Sequence, residues 1–466
     1  MKDRAFSLDA FRGYAILTMI LSGTIVTSVL PAWMSHAQVG PRSGFTFDPS
    51  IYGITWVDLV FPFFLFSMGA AFPFSIGKKL EEGKPKIRII FDCILRGLRL
   101  TFFAIFIQHM YPWGINLQDT VSWGISIMAF LLMFPMFMRI HSKRPEWIRI
   151  TVEVVGYAIG IAMLLLTPYD DGRKFGFEYS DIIILVLANM AVFGSLIYLF
   201  TYHCRWARIA VLPFIMAVFL GSQTEGSWIV EVMNFTPLRW MYRFYYLKYL
   251  FIVIPGSIAG DYLRDWLNNR DMQEVIPRKH VLWKVVVIVS IIVWNLYGLY
   301  TRQLVLNLCG TIFLVFVLYL LLRGSDSSNN SRYWHRLFVA GAYLLMLGLF
   351  FEAYEGGIRK DDSTYSYYFV TSGLAFMGMM LFSIVCDVYR MNWLVHPLET
   401  VRQNPMIAYA APQLFILPLL NLTGFSYWLD MLNQNAWQGF LRGVIVTALA
   451  ICIAAFCTKK KWFWRT

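Results

Sequence analysis

Residues 53–72 read GITWVDLVFPFFLFSMGAAF, and Asp58 is the only charged residue among them. A helix crosses ~30 Å of hydrocarbon with about 20 apolar residues, so this run has the length of a membrane span. Similar runs recur near 11–30, 55–77, 91–109, 120–139, 150–167, 180–200, 207–222, 243–260, 281–301, 304–322, 337–354, 365–385, 403–421 and 437–457. The expectation is an all-α, polytopic transmembrane helix bundle of about 14 helices, within a range of 10–14, forming one domain over residues 1–466. Pro62, Pro73, Pro135, Pro255, Pro412 and Pro418 interrupt the runs. Membrane helices tolerate proline where neighbours satisfy the carbonyl that it frees.

Composition agrees. Hydrophobic residues make up 58% of the chain and charged ones 15%, whereas about a quarter of a soluble domain is charged. The mean hydropathy is +0.56. About 30 of the 40 Lys and Arg residues fall on one side of the expected membrane, which places both termini on that basic, cytoplasmic side. The net charge of +12 is then explained by loop anchors, without nucleic acid. Asp3 and Asp9 precede the first run and no small-residue cleavage site closes it, so it reads as a span and not a cleaved signal. The 6 cysteines are scattered without metal or redox spacing and read as small apolar fillers. A flexible cytoplasmic loop is expected at 323–335, where GSDSSNNS lies at 324–331.

Of the 7 histidines, only His36 and His109 fall on the far side. An imidazole near neutral pH can take a proton from a nucleophile or attack an acyl group. A loop histidine can equally be a plain surface residue. Asp58 reads as the acid of a capping box with Thr55, and an acid pinned at a helix start is also a rigid partner for an imidazole. On the basic side, Asp9 and Arg12 stand three apart on one helical face, as an ion pair or a helix start. Arg88, Arg96 and Arg99 follow in RIIFDCILRGLRL, where arginines either snorkel or hold an anion such as a pyrophosphate. Arg239, Arg243 and Lys248 lie on the far side against the charge bias, which points to an anionic substrate or to pairing with Glu225, Glu231, Asp170 or Asp171.

SLDAFRGYAIL at 7–17, a loop histidine, and then GITWVDLVFPFFLFSMGAA resemble the heparan-alpha-glucosaminide N-acetyltransferase family of transmembrane sugar acyltransferases, in its bacterial branch. RGLRL, YLKYLFIVIPGSIAGD and RQNPMIAYAAPQLF extend the resemblance along nearly the whole chain. It implies an acetyl-CoA-dependent enzyme of a bacterial cytoplasmic (inner) membrane that acetylates an amino sugar or glycan on the extracytoplasmic side. His36 matches the family's catalytic histidine and Asp58 the acid of DLVFP, while Asn404 aligns with an asparagine of a late family helix. The chain departs from the family in the segment VGPRSGFTFDPS, which lengthens the loop between His36 and Asp58, and in its larger number of spans.

These readings make His36 and Asp58 the catalytic pair and give Arg12, Arg96 and Arg99 the phosphates of acetyl-CoA. Arg239, Arg243, Lys248 and Asn404 become substrate-binding candidates, and Asp9 part of the first motif. Acetyl-CoA is a co-substrate, no metal is called for, and a homodimer is allowed. His36 would act either as base in a ternary complex or as an acetylated intermediate. The alternative is a secondary transporter or flippase for a glycan or lipid-linked sugar, which internal repeats would favour, and none is visible.

Overall fold

In hydrocarbon every peptide group must find its partner within the protein, and helices do this locally. The protein's structure, a computed structural model, describes residues 6–138, 145–269, 278–323, 328–389, 398 and 400–464, without the side chains of 171 and 278–280. Among the described residues there is no strand, only the isolated bridges Ile115–Tyr169 and Met138–Trp464.

The main helices are α1 (Phe6–Ser22), α2 (Trp56–Glu81), α3 (Lys86–Met110), α4 (Asp119–Phe137), α5 (Glu146–Leu166), α6 (Ile182–Phe200) and α7 (Arg205–Gly221). They continue as α8 (Leu250–Asn268), α9 (Arg278–Thr301), α10 (Leu304–Arg323), α11 (Asn329–Glu355), α12 (Tyr365–Val388), α13 (Pro405–Thr423) and α14 (Ala436–Lys459). Each expected span overlaps one of these helices, but the first, 11–30, runs past the end of α1 at Ser22, and the eighth, 243–260, begins in a 3₁₀ turn before α8. Among the described residues, 10 are by length and composition long and apolar enough to cross a membrane, which makes this an all-α, membrane-type bundle. The four others are α1 and α7, each only 17 residues, the charged α3, and α8, whose last turns carry Asp261, Arg264 and Asp265.

The expected loop at 323–335 needs correction. Arg323 still belongs to α10, and from Asn329 the chain is helix, with the Ser328 side chain accepting the Ser331 amide at 3.0 Å. Residues 324–327 lie outside the described residues. Polar composition alone suggested a linker, whereas serine and asparagine are also the residues that start helices.

Two helices form the axis of the bundle. Both α2 and α12 are buried along most of their length, while α5 and α10 bury little. Along α2, Phe63 meets Phe11 of α1 at 5.2 Å and Phe66 meets Phe376 of α12 edge-on at 4.9 Å. On its other side α2 packs backbone to backbone against α8. A Cβ on Gly256 would lie 2.2 Å from the Phe66 carbonyl oxygen, and one on Gly260 2.3 Å from that of Ala70. This G-x-x-x-G spacing is what lets membrane helices approach so closely.

Pro62 lies inside α2 and has no amide hydrogen, which leaves the carbonyl of Asp58 without its usual donor four residues on. The hydroxyl of Tyr367, fully buried at the start of α12, donates to that oxygen at 2.8 Å. The proline therefore makes a place for a tyrosine from residues far along the chain. Tyr367→Phe should lower stability by about 1–3 kcal/mol, the cost of an unsatisfied buried carbonyl. In a Pro62→Ala background the same change should cost much less, because an alanine at that position restores the amide donor. Thermal unfolding of the four proteins in detergent measures this; additive effects would refute the assignment.

Candidate active site

Asp58 stands in the first turn of α2 and is buried. It closes the expected capping box with Thr55, whose amide donates to Oδ2 at 2.9 Å. The amide of Ala37 reaches the same oxygen at 3.4 Å, and the Thr55 hydroxyl donates to the Ser35 carbonyl at 2.8 Å. These bonds tie the loop before α2 to the helix start, so the neighbour of Ala37, His36, comes to lie over the carboxylate. Its Nε2 is 3.2 Å from Asp58 Oδ1, an ion-pair distance that does not meet hydrogen-bond geometry.

The added segment does not part them. The Asp48 amide donates to the Gln38 carbonyl at 2.9 Å, which pinches the excursion at its base, and Phe45 and Phe47 project exposed from it.

A second loop, residues 356–364 between α11 and α12, completes the site. Gln38, fully buried, holds it by both ends of one side-chain amide: Oε1 accepts from the Asp361 amide at 3.0 Å, and Nε2 donates to the Asp361 carbonyl. Lys360 Nζ thereby sits 2.7 Å from His36 Nε2, and Asp361 Oδ2 lies 3.6 Å from the same nitrogen. Sequence reasoning missed Gln38, Lys360 and Asp361 as site residues. The one signal was that Lys360, with Arg359, is a basic residue on the sparsely charged side.

Lys248, expected to bind substrate, belongs to this region and is engaged by the Ser363 loop. It donates to the Ser363 carbonyl at 3.0 Å among the rings of Phe219, Tyr245 and Tyr365, and Tyr245 holds Ser363 through its hydroxyl at 2.7 Å. These residues brace the Lys360 loop. Arg239 and Arg243 are exposed on the segment before α8 and do not join them. His109 is buried among Tyr169, Phe175 and Tyr179, with Nδ1 bound to the Ile105 carbonyl at 2.9 Å, which makes it a packed core histidine.

The arginines gather at the other end of the bundle. Arg12, Arg96 and Arg99 line one cavity of about 450 Å³, together with Lys79 and Arg402. Its wall runs along α2 from Ile76 to Phe61, roughly 20 Å at 1.5 Å per residue. Three of the cations are paired: Lys79 with Asp92 at 2.6 Å, Arg99 with Glu153, and Arg402 with Asp9 at 3.0 Å. Asp9 therefore reaches across to Arg402, just before α13, instead of pairing with Arg12. Arg12 and Arg96 face the cavity with no carboxylate in ion-pair range among the described residues, and Arg12 Nε is buried without a hydrogen-bond partner there. Arg402 was missed by sequence reasoning, although it begins the RQNPMIAY motif. Asn404, taken as substrate-binding, lies beside this cavity, where Nδ2 donates to Thr458 at 2.8 Å, and not beside His36.

The cavity ends at Phe61, one helical turn from Asp58. There the Phe61 ring packs edge-on against Tyr249 at 5.6 Å, and Tyr249 edge-on against Tyr368 at 5.3 Å. Among the described residues no three potential metal ligands converge.

Residues 4–263 match the family model described as Domain of unknown function (DUF5009), which is more than half of the chain. The chain belongs to the DUF5009 family. No curated protein matches it. The DUF5009 match takes in Arg12, His36, Asp58, Arg96 and Arg99, and ends before Lys360, Asp361 and Arg402.

Burial pushes the His36 imidazole below its ordinary value of 6.5; Asp58 and Asp361 pull it back up and Lys360 pushes it further down. The neutral, proton-accepting ring therefore persists to lower pH than in an ordinary histidine. Histidine NMR of the whole protein in micelles should place its midpoint below 6.5. Lys360→Met, which removes a positive neighbour, should raise that midpoint; a fall would contradict the geometry.

Proposed function

We propose that this protein is a transmembrane acyltransferase, in which the acetyl group of acetyl-CoA passes from the arginine end of the bundle to an amino sugar or glycan at the His36 end. One observation carries the reading: a long cavity, with two arginines that lack a carboxylate partner among the described residues, ends within one helical turn of an imidazole–carboxylate pair. Both termini lie on the basic side, by the distribution of Lys and Arg. Acetyl-CoA then approaches from the cytoplasm, and the acceptor from outside the cell membrane.

In this mechanism Arg12 and Arg96 receive phosphate oxygens, which planar guanidinium groups bind well, with Arg99 and Arg402 beside them. The pantetheine arm extends along α2, α3 and α6, whose apolar side chains exclude water from the thioester. Movement of Phe61 and Tyr249 joins the cavity to the site. His36 takes the proton of the acceptor as its amine or hydroxyl attacks the thioester carbonyl. Asp58 orients the ring and stabilises the imidazolium, as a buried carboxylate does beside a catalytic histidine.

The test is acetyl transfer from acetyl-CoA to glucosamine by the purified protein. His36→Ala should lower kcat by at least ~100-fold, the usual contribution of a general base, and wild-type rates should decline only below pH 6.5. Acetyl-CoA at 100 times its Kd should stabilise the fold by about 2.7 kcal/mol, and Arg12→Ala with Arg96→Ala should weaken that effect. Stabilisation by a glycan with none by acetyl-CoA would favour a transporter.

A further inference from the structure

Arg239 and Arg243 lie outside both the arginine cavity and the His36 site. They are exposed, and they make no ion pair or hydrogen bond among the described residues. Glu225 and Glu231, near them in sequence, are exposed as well and pair with neither. The surface around them is apolar, with Trp228, Phe235 and Leu238 all exposed. An arginine set among membrane-facing apolar groups without a carboxylate is costly, and such a residue marks a function by default.

Beside the two arginines runs an apolar groove of about 400 Å³, a volume within the range of small-ligand sites. Its floor is α3 against α6, and its lip is the segment 235–242; Ile94, Leu98, Val192, Phe193, Phe235 and Leu238 line it. The two helices meet closely, since a Cβ on Gly97 would lie 2.3 Å from Val192 Cγ2. Polar side chains on the wall are already engaged: Thr101 donates to the Gly97 carbonyl at 3.0 Å, and Asn189 to those of Leu185 and Met241 at 2.9 Å. The bond to Met241 also pins the lip, as do Tyr242 on Phe193 at 5.3 Å and Trp240 on Phe177 at 4.9 Å. Val192 and Phe193 stand midway along α6, and Ile94 and Leu98 stay exposed, so the groove opens sideways to hydrocarbon.

Each arginine directly follows a groove residue, Arg239 after Leu238 and Arg243 after Tyr242. An apolar groove with two cations at its edge complements an anionic amphiphile. A soluble glycan would leave the groove uncovered, and an uncharged lipid would leave the arginines without a partner. We infer that the groove, with Arg239 and Arg243, binds a lipid-linked acceptor, a sugar joined through phosphate to a hydrocarbon chain. The chain lies in the groove and the phosphate meets the planar guanidinium groups, which bind such anions well. The sugar's role as acceptor rests on the acetyl-transfer reading above.

The same segment leads from the groove to the His36 site. After Arg243 comes the 3₁₀ turn Phe244–Tyr249, in which Tyr245 bonds Ser363 at 2.7 Å and Lys248 donates to the Ser363 carbonyl at 3.0 Å. Arg243 is two residues from Tyr245, at most about 7 Å of backbone. A sugar on a phosphate held by Arg243 is thus carried to the loop that walls His36. The reaction is unchanged: the sugar amine becomes an acetamide and the coenzyme leaves as the free thiol.

The experiment uses the full-length protein in phosphatidylcholine nanodiscs and farnesyl-phosphoryl-glucosamine with a photoactivatable chain. Saturable crosslinking to peptides holding residues 94–101, 188–193 and 235–242, read by mass spectrometry, measures occupancy of the groove. Farnesyl glucosaminide, which lacks the phosphate, and glucosamine 1-phosphate, which lacks the chain, should each compete at least about tenfold more weakly than the unlabelled parent, as the loss of one charged hydrogen bond or a comparable apolar contact predicts. Arg239→Gln with Arg243→Gln should raise half-saturation by at least about tenfold. Leu98→Trp, which fills the groove from an exposed position, should do the same. An unchanged melting temperature separates these losses from misfolding. Equal competition by the phosphate-free probe, or crosslinking that survives loss of both arginines, overturns the inference. Acetylation of glucosamine with no groove binding overturns it and leaves the acyltransferase reading standing. Binding that needs both chain and arginines, with no acetyl transfer to the carried sugar, supports the lipid site and rejects that reading.

Discussion

The first turn of α2 holds the site together through one residue. The Asp58 carboxylate accepts the Thr55 and Ala37 amides and faces His36, while its carbonyl, freed by Pro62, takes the hydroxyl of Tyr367. A carboxylate at the positive end of a helix is favoured on its own account. Here the same favourable arrangement also orders the preceding loop and docks α12. The capping box and the contact with His36 thus share one carboxylate, and a change to either disturbs the other.

Much of the fold was legible because the membrane makes the code simple. Length and apolarity marked the long helices, and the proline in GITWVDLVFP signalled a freed carbonyl. What stayed hidden were the residues whose place depends on contacts between distant loops. Nothing near Gln38 indicates that it clamps Asp361, and Lys360 carried only the mark of a charge on the unexpected side. Conversely, Arg239, Arg243 and Lys248 form a cluster in the sequence but not in space, since a 3₁₀ turn and the start of α8 send Lys248 inward and leave the others exposed. The arginines of the cavity were legible as a group, because Arg96 and Arg99 lie on one helix and Arg12 belongs to the first motif. Arg402 joins them only through the fold.

The bundle separates two chemical environments. At one end five basic side chains converge on a cavity, and two of them lack a carboxylate partner among the described residues. At the other end the charges are interleaved, with His36 and Lys360 set between Asp58 and Asp361. Between them lie apolar walls and the edge-on rings of Phe61, Tyr249 and Tyr368.

The Gln38 clamp joins residues separated by 323 positions. During synthesis His36 and Asp58 leave the ribosome early, but their third wall does not exist until the loop before α12 has been made. A nascent chain therefore stays without a finished site through most of its translation. The arrangement around His36 is complete only when the last third of the molecule closes onto the first.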